Sequence, residues 1–431
     1  MSAAEAICRR PSLQLTSSWD TNDLRRRLVK ALDAAHRAVL VLGTNGYRAG
    51  DTNGVRPEKV LSETAIFLLG SYHQCVTDPE LAPHHRRVCE ALMPYARNDR
   101  TAALIVLEPG LSLDHALVHV CLSRMGFGDQ RFDKLVAAAQ PSRIATARER
   151  LPHRVMEQTW LSYLAGTIDG RSFDFGHESI LSRSLDALSM SADDAYAFTH
   201  ALMFGSALGM RKLKLPRSAA DVAADAEIAL GCFLDDEDYD VAGELLLTWP
   251  LLARRWSAAA TFSFTCLAHV EDEAGFLPAA SISLDELARH NGEERSRYAV
   301  AMTYHTIYVM GLLCALLLRP QSAPPREVPG TRRDRGAAAA LAAIPDPDVD
   351  KPRHWENVFA GLEVAQQESL SPLLLTIKLR RAARRRDLVR LQELLRVAAR
   401  FDLLTGPAAD QTLDLLKRSA LLQELGLTTC S

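Results

Sequence analysis

The sequence predicts an all-α protein, either an α/α toroid or a helical-hairpin array, that ends in a C-terminal helical hairpin. Along the first predicted helix, apolar residues recur with a helical period at Leu24, Leu28, Leu32 and Ala35. A predicted helix ends at each of the segments 126–133, 166–176 and 270–278, and each segment contains an acidic-glycine turn followed by an aromatic residue. Repeated helical hairpins with turns of one kind are typical of α-solenoids and of closed toroids of helix pairs.

Four segments are predicted along the chain. Residues 1–55 form a leader, a helix and a Gly/Asn-rich loop, and residues 56–318 form a toroid-like helical domain. Residues 319–353 contain seven prolines and are predicted to be a linker, and residues 354–431 form the C-terminal hairpin. Within these segments we predict helices at 20–41, 57–75, 112–125, 131–139, 145–164, 179–188, 193–208, 218–234, 240–252, 258–270, 284–290, 293–318, 354–367, 372–401 and 408–425.

Composition excludes several classes of protein. The chain has 431 residues, 48% hydrophobic, and a formal net charge of -3, so it can bury a core and we expect no nucleic-acid partner. The eight cysteines contain no CxxC pair, which argues against a zinc ribbon or a disulfide scaffold. No P-loop, Rossmann fingerprint or GxSxG elbow is present in the sequence.

Nothing in the sequence predicts export or a membrane span. The first residues lack the long apolar region of a signal peptide. The longest apolar run, 308–318, is too short to cross a bilayer and predicts a buried helix. We therefore expect a cytoplasmic protein.

An acidic stretch before an apolar helix carries the first candidate site. Asp240 and Glu244 are four residues apart and share one helical face. One interpretation is capping, because an aspartate before a helix accepts N–H bonds. The other is a carboxylate pair that faces a cavity. The capping-box position is Gly243, so the box does not explain Glu244. The run 235–238 before it predicts a solvated turn with a cap.

Two histidines lie inside apolar helices. His200 follows Tyr196 by four residues, and His305 lies between Tyr304 and Tyr308. Such histidines are either core residues with a hydrogen-bond partner or metal ligands and general bases, because imidazole titrates near neutral pH. Both interpretations stay open from the sequence.

These residues are predicted to form a single site if their helices surround one cavity. His200, His305, Asp240 and Glu244 are then predicted to be ligands of iron or zinc. The same four side chains also suit metal-free acid–base catalysis, with Tyr304 as an orienting donor. No HExxH or ExxH spacing is present to decide between the two.

A basic run at 378–390 offers a different kind of site. Its lysine and arginines could bind nucleic acid or an acidic partner. The alternative is a solvated helix face that is balanced by Asp387 and Glu393.

The segments 196–209, 238–252, 270–278 and 304–313 resemble an uncharacterised family of actinobacterial helical proteins. Its members often accompany specialised-metabolite genes, and the resemblance covers roughly residues 55–320. More distantly, the helix pairs with acidic-glycine-aromatic turns look like the α/α toroids of terpenoid cyclases and prenyltransferases. The resemblance implies a fold and a metabolic setting, and it implies no catalytic residue.

The functional hypothesis is an enzyme of bacterial specialised metabolism that acts on a small, largely apolar substrate in a central helical cavity. Its chemistry is metal-assisted or acid–base. The alternative is a non-catalytic helical scaffold or regulatory protein that binds a protein partner. In either case the C-terminal hairpin is a candidate surface for a homo-oligomer or a protein partner.

Overall fold

The computed structural model describes residues 19–42, 56–140, 149–169, 178–331, 336–346 and 352–425. Every regular element in these ranges is a helix, which confirms the all-α class. The predicted leader up to residue 18, the Gly/Asn-rich loop at 43–55 and most of the turn at 166–176 lie outside the described residues.

The helices are named in chain order. The first group is α1 (Thr21–Leu42), α2 (Pro57–Thr77), α3 (Leu81–Ala96), α4 (Asp99–Leu107), α5 (Ser112–Arg124), α6 (Gln130–Ala139) and α7 (Pro152–Leu164). The second is α8 (Ala192–Gly205), α9 (Ala219–Asp235), α10 (Tyr239–Leu246), α11 (Thr248–Leu251), α12 (Ala258–Ala274), α13 (Leu284–Arg289) and α14 (Gly292–Leu317). The third is α15 (Ala337–Ala342), α16 (His354–Ala360), α17 (Val364–Ser369), α18 (Ser371–Arg384), α19 (Leu388–Arg400) and α20 (Pro407–Glu424).

Helix α14 lies at the centre of the main body and packs against α1, α2 and α10. By length and composition α14 could cross a membrane, but 78% of its apolar window is buried inside the protein, as in the core helix of a soluble protein. Helix α4 and the segment Pro109–Arg124 are long and apolar enough for a membrane span only when they are taken together, and the chain bends by 108° between them. The apolarity of α14 is therefore accounted for by its neighbours in the core.

The predicted helix at 179–188 is wrong. The structure has a short 3-10 turn at Ile180–Ser182, and the following backbone bends away. The backbone N–H of Leu185 donates to Asp225 at 3.4 Å, and that of Ala187 donates to Gln411 at 2.7 Å. Side chains from distant helices thus take the hydrogen bonds that a helix would use, which a local apolar pattern cannot reveal.

The acidic and basic runs pair with each other inside the protein. Asp235 and Arg381 are 3% and 8% exposed, and Arg381 Nε donates to Asp235 Oδ2 at 3.0 Å. Arg380 Nη2 also donates to Asp236 at 2.7 Å, so α18 is held on α9 by ion pairs. The predictions of a solvated turn at 235–238 and of a solvated basic helix face are wrong for these residues. Burial is tolerated because each charge meets an opposite charge.

The segment predicted to be a linker contains α15, which packs against α18. Val328, Leu341 and Ile344 are buried there. The Pro-rich segment thus contributes apolar side chains to the core beside the C-terminal helices.

We expect Asp235→Ala to lower the free energy of unfolding by about 3–5 kcal/mol, because it removes the buried carboxylate that both Arg381 and Arg353 contact. Urea denaturation of the full chain measures the change. Asp414→Ala is the matched control, since Asp414 and its partner Arg418 are 53% and 76% exposed. Such exposed pairs contribute about 0–1 kcal/mol. Equal effects of the two substitutions would contradict the buried pairing.

Gly311 sets the distance between α14 and its neighbours. A Cβ on Gly311 would contact the Cβ of Ala31 in α1 and lie 2.8 Å from Cε2 of Phe67 in α2. Gly243 does the same for α10, where a Cβ would lie 2.7 Å from Cγ1 of Val309. Both glycines therefore allow backbones to approach where a larger residue would force them apart.

Gly311→Ala is expected to destabilise the protein by about 1–3 kcal/mol, because overpacking exceeds the gain in helix propensity. Thermal unfolding followed by circular dichroism measures the loss. Gly128→Ala, at a site with no atom within 4 Å of the added Cβ, is expected to leave stability nearly unchanged. An unchanged or raised midpoint in Gly311→Ala would disprove the close packing of α14.

Candidate functional site

A cleft of about 1460 Å³ lies beside the centre of the main body. Its polar lining comes from α2, α7, α8, α10 and α14, and from the bends that precede α8. The ionisable side chains that line it include Lys59, Glu63, His153, Arg154, Tyr196, His200, Asp240, Tyr304 and His305.

His305 and Asp240 form the best-connected pair in the cleft. His305 Nδ1 lies 2.8 Å from Asp240 Oδ1 and 2.9 Å from Oδ2. Tyr196 donates its hydroxyl to Asp240 Oδ2 at 2.8 Å. Asp238, not Asp240, caps α10, since its side chain accepts the N–H of Val241 at 3.3 Å. Asp240 is thus free of the capping role that the sequence also allowed.

Glu244 lies one helical turn further along α10 and is 1% exposed. Its Oε2 accepts a hydrogen bond from the hydroxyl of Thr199. Its Oε1 lies 3.7 Å from Nε2 of His305 and 3.8 Å from Nε2 of His200. Because Asp240 and Glu244 share one face of α10, both carboxylates reach the same imidazole.

Glu63 of α2 completes the group and was absent from the predicted set. Tyr304 donates to Glu63 Oε2 at 2.6 Å, and Glu63 Oε1 lies 4.0 Å from Nε2 of His305. Lys59 Nζ is 3.7 Å from the same Oε1. A carboxylate inside the apolar segment 61–69 was the sequence signal, because such a carboxylate must find a partner.

The structure brings the five predicted side chains to one place. His305 contacts Asp240 directly, Glu244 lies beside both histidines, and Tyr304 reaches the group through Glu63 rather than through His305. His200 is the most loosely held, since its Nδ1 is buried with no hydrogen-bond partner among the described residues. Their catalytic and metal-binding roles remain predictions.

The electrostatics of the site favour a charged His305 and a neutral His200. Burial by itself lowers the pKa of His305, but nearby carboxylates, led by Asp240 and Glu63, raise that pKa to about 10. Burial also raises the pKa of Asp240, but the charge of His305 outweighs this and holds the pKa below its ordinary value. For His200, burial and the positive charge of Arg154 lower the pKa to about 3.

Glu244 is the carboxyl group that titrates near neutral pH. Burial raises its pKa to about 7, the negative charge of Asp240 acts in the same direction, and His305 opposes them. A group with a pKa near the working pH is suited to both accept and donate a proton.

The donor atoms fit a metal less closely than the sequence hypothesis required. His305 Nδ1 is occupied by Asp240, which leaves Nε2 of each histidine and Oε1 of Glu244, with separations of 3.7 and 3.8 Å from the carboxylate oxygen. Two ligands of one tetrahedral zinc are about 3.3 Å apart. Among the described residues, the three potential ligands whose donor atoms all lie within 4.8 Å of one another are His269, Glu273 and His354, outside the cleft.

The described residues define an all-helical protein with a histidine–carboxylate cluster in a cleft. Residues 28–315 match the family described as a domain of unknown function, DUF6895, and the chain belongs to that family. The match covers most of the chain and contains every cleft residue discussed above. It confirms the resemblance to an uncharacterised family. No curated protein and no solved structure matches the chain.

The raised pKa of Glu244 predicts how stability depends on pH. The ordinary pKa of a glutamate is 4.5, and that of Glu244 in the folded state is about 7. Between these two pH values the folded state binds more protons at Glu244 than the unfolded state. The contribution of Glu244 to the free energy of unfolding is thus greatest below the lower value, and it falls by about 3 kcal/mol as pH rises through this window. In Glu244→Gln this fall is expected to disappear.

Urea denaturation across this pH window measures the slope. Asp414→Asn, at an exposed ion pair, is the control and is expected to keep the wild-type dependence. A wild-type slope in Glu244→Gln would mean that Glu244 does not titrate in this range.

Proposed function

We propose that the protein is an enzyme that performs acid–base chemistry on a small, largely apolar molecule in the cleft. The observation that carries the proposal is the cluster of Asp240, Glu244 and Glu63 around the imidazole of His305. Carboxyl groups and an imidazole whose environments drive their pKa values apart are the usual composition of an acid–base site.

The geometry supports a distinct role for each side chain. Glu244 is the proposed proton acceptor, reached through the two histidines that line the cleft, because its pKa lies near neutral pH and its Oε1 faces both of them. The protonated His305 is the proposed acid or the group that stabilises negative charge on the substrate. Asp240 and Tyr196 are positioning residues, since Asp240 holds Nδ1 of His305 and Tyr196 donates to Asp240, which leaves Nε2 directed at the other carboxylates.

Tyr304 and Glu63 are proposed to orient the substrate. The hydroxyl of Tyr304 is bonded to Glu63 at 2.6 Å, and burial together with the charge of Glu63 raises the pKa of Tyr304 far above its ordinary value. Tyr304 therefore stays protonated and serves as a hydrogen-bond donor rather than as a base. This is the orienting role that we assign to it.

The substrate class follows from the walls of the cleft. Ile180, Leu185, Met190, Ala301 and Met302 supply apolar surface beside the ionisable group. The volume of about 1460 Å³ exceeds the roughly 300–1,000 Å³ of common ligand sites, so a multi-ring molecule would fit. The apolar residues support the mainly apolar part of the proposed substrate, and the ionisable side chains that line the same cleft support one acidic or carbonyl centre.

The wider setting stays a proposal. A place in bacterial specialised metabolism is supported by the sequence resemblance, and a cytoplasmic location remains a proposal. We also retain an α/α toroid as the proposed arrangement, because helices from separate parts of the chain surround the cleft. A homo-oligomer through the C-terminal hairpin remains a proposal, although its basic residues Arg380 and Arg381 are already paired internally.

Untargeted mass spectrometry in D2O tests the proposed chemistry. The protein is incubated with a metabolite extract of a bacterium that encodes it, and deuterium uptake and new products are recorded. The wild type is expected to label or convert at least one compound. Glu244→Gln and His305→Asn are expected to slow that change by about 100-fold or more, the usual contribution of a general acid or base.

The control is Glu227→Gln. Glu227 is a carboxyl group whose pKa is also raised by burial, but it lies on α9, outside the histidine–carboxylate cluster. We expect it to retain the wild-type rate. Full activity in Glu244→Gln, or the same loss in all three variants, would contradict the proposal, and so would the absence of any change with the wild type.

A further inference from the structure

A second group of ligating side chains lies where α12 meets α16. His269 and Glu273 are one turn apart on α12, and His354 begins α16. Nδ1 of His269 lies 3.2 Å from Nε2 of His354 and 3.5 Å from Oε1 of Glu273. Oε2 of Glu273 is 3.6 Å from Nδ1 of His354. None of the three lines the cleft.

The two separations that start from Nδ1 of His269 match those of ligands on one metal ion. Two ligands at zinc bond lengths of about 2.0–2.1 Å in a tetrahedral arrangement are about 3.3 Å apart. The two shortest contacts, 3.2 and 3.5 Å, bracket this value, and the chosen donor atoms all lie within 4.8 Å of one another. We propose that His269, Glu273 and His354 bind one Zn²⁺ ion, which joins α16 to α12.

The position of His354 is fixed independently of any metal. The neighbouring Arg353 and Trp355 both contact Asp235, with Trp355 Nε1 donating to its Oδ1 at 3.2 Å. The backbone N–H of His354 donates to Glu237 at 2.9 Å. Contacts on both sides therefore place the imidazole opposite His269 in advance, which reduces the ordering cost of binding an ion.

A hydrogen bond between the two imidazoles is the competing explanation. It accounts for the 3.2 Å contact but requires no carboxylate, whereas Glu273 approaches both rings. Glu273 is 61% exposed, which leaves a fourth zinc position open to water.

The location indicates what the metal would do. His269 and Glu273 lie inside the family segment 28–315, and His354 lies beyond it. A bound ion would therefore cross-link the family domain to the C-terminal helices. Since the site exists only in the folded chain, zinc would raise the folding stability by mass action.

Zinc titration of the full-length protein tests this site. The chelator-treated protein competes with a chromophoric chelator for Zn²⁺, and thermal unfolding is followed with and without the ion. We expect one zinc per chain and a higher unfolding midpoint. His269→Ala and His354→Ala are expected to weaken zinc binding by about 100-fold. Loss of a residue that only hydrogen-bonds to a ligand already costs about 10–100-fold, and these variants remove a ligand itself. Both are expected to abolish the rise in midpoint.

Two further variants keep the test decisive. Glu273→Gln changes a mostly exposed side chain, so the variant is expected to fold normally. Its zinc affinity is nevertheless expected to fall by about tenfold or more. His115→Ala is the matched control, because His115 pairs with Glu108 at 3.0 Å at a similar exposure of 21% but lies outside the group of His269, Glu273 and His354. Unchanged zinc affinity is expected for it.

Three results would contradict the proposed zinc site. Absence of zinc binding by the wild type, or equal affinity in His269→Ala, His354→Ala and the control, would disprove the site. Loss of zinc in His305→Asn but not in His354→Ala would assign the metal to the cleft instead.

Discussion

The pairing of Asp240 with His305 is the interaction on which the candidate site depends. A carboxylate and an imidazole in a helical core are each costly to bury, and the cost is met when they neutralise each other at hydrogen-bond distance. This pair joins α10 to α14 across 65 residues of sequence. It also fixes the orientation of His305, so that Nε2 is presented to Glu244 and Glu63.

The approach of α10 to α14 makes this pairing possible. Gly243 lies directly against the side chain of Val309, and a side chain at position 243 would push the two helices apart. Glu244 follows directly on α10 and is buried by the same approach. Its carboxyl group is therefore desolvated while it faces a cationic ring, and its pKa is set by the balance of these two effects. Packing and acid–base properties are linked through one helix contact.

Charge pairing of the same kind organises the C-terminal part. Asp235 and Asp236 at the end of α9 receive arginines from α18, and Arg353 and Trp355 approach Asp235 from the start of α16. The acidic stretch thus has two halves with different partners. Residues 235 and 236 hold the C-terminal helices, residue 240 lines the cleft, and residue 244 lies buried beside the two histidines that line it.

Much of the fold was predictable from the chain alone. Helices such as α1, α9, α12 and α14 were expected near their observed limits, because a 3.6-residue apolar period is a local property and burial rewards it. The prediction was wrong at 179–188, where Asp225 and Gln411 take the backbone hydrogen bonds. Those acceptors are 40 and 224 residues away from their donors, so no local pattern contains them.

The candidate site shows the same division. By itself the sequence determined that His200, His305, Asp240 and Glu244 lie on apolar helices, where polar groups need partners. Only the tertiary structure decided which partner each one has: Asp240 for His305, Glu63 for Tyr304, and Arg381 for Asp235. The physical reason is that hydrogen bonds and ion pairs act over a few ångströms, and helix packing alone determines which side chains come that close.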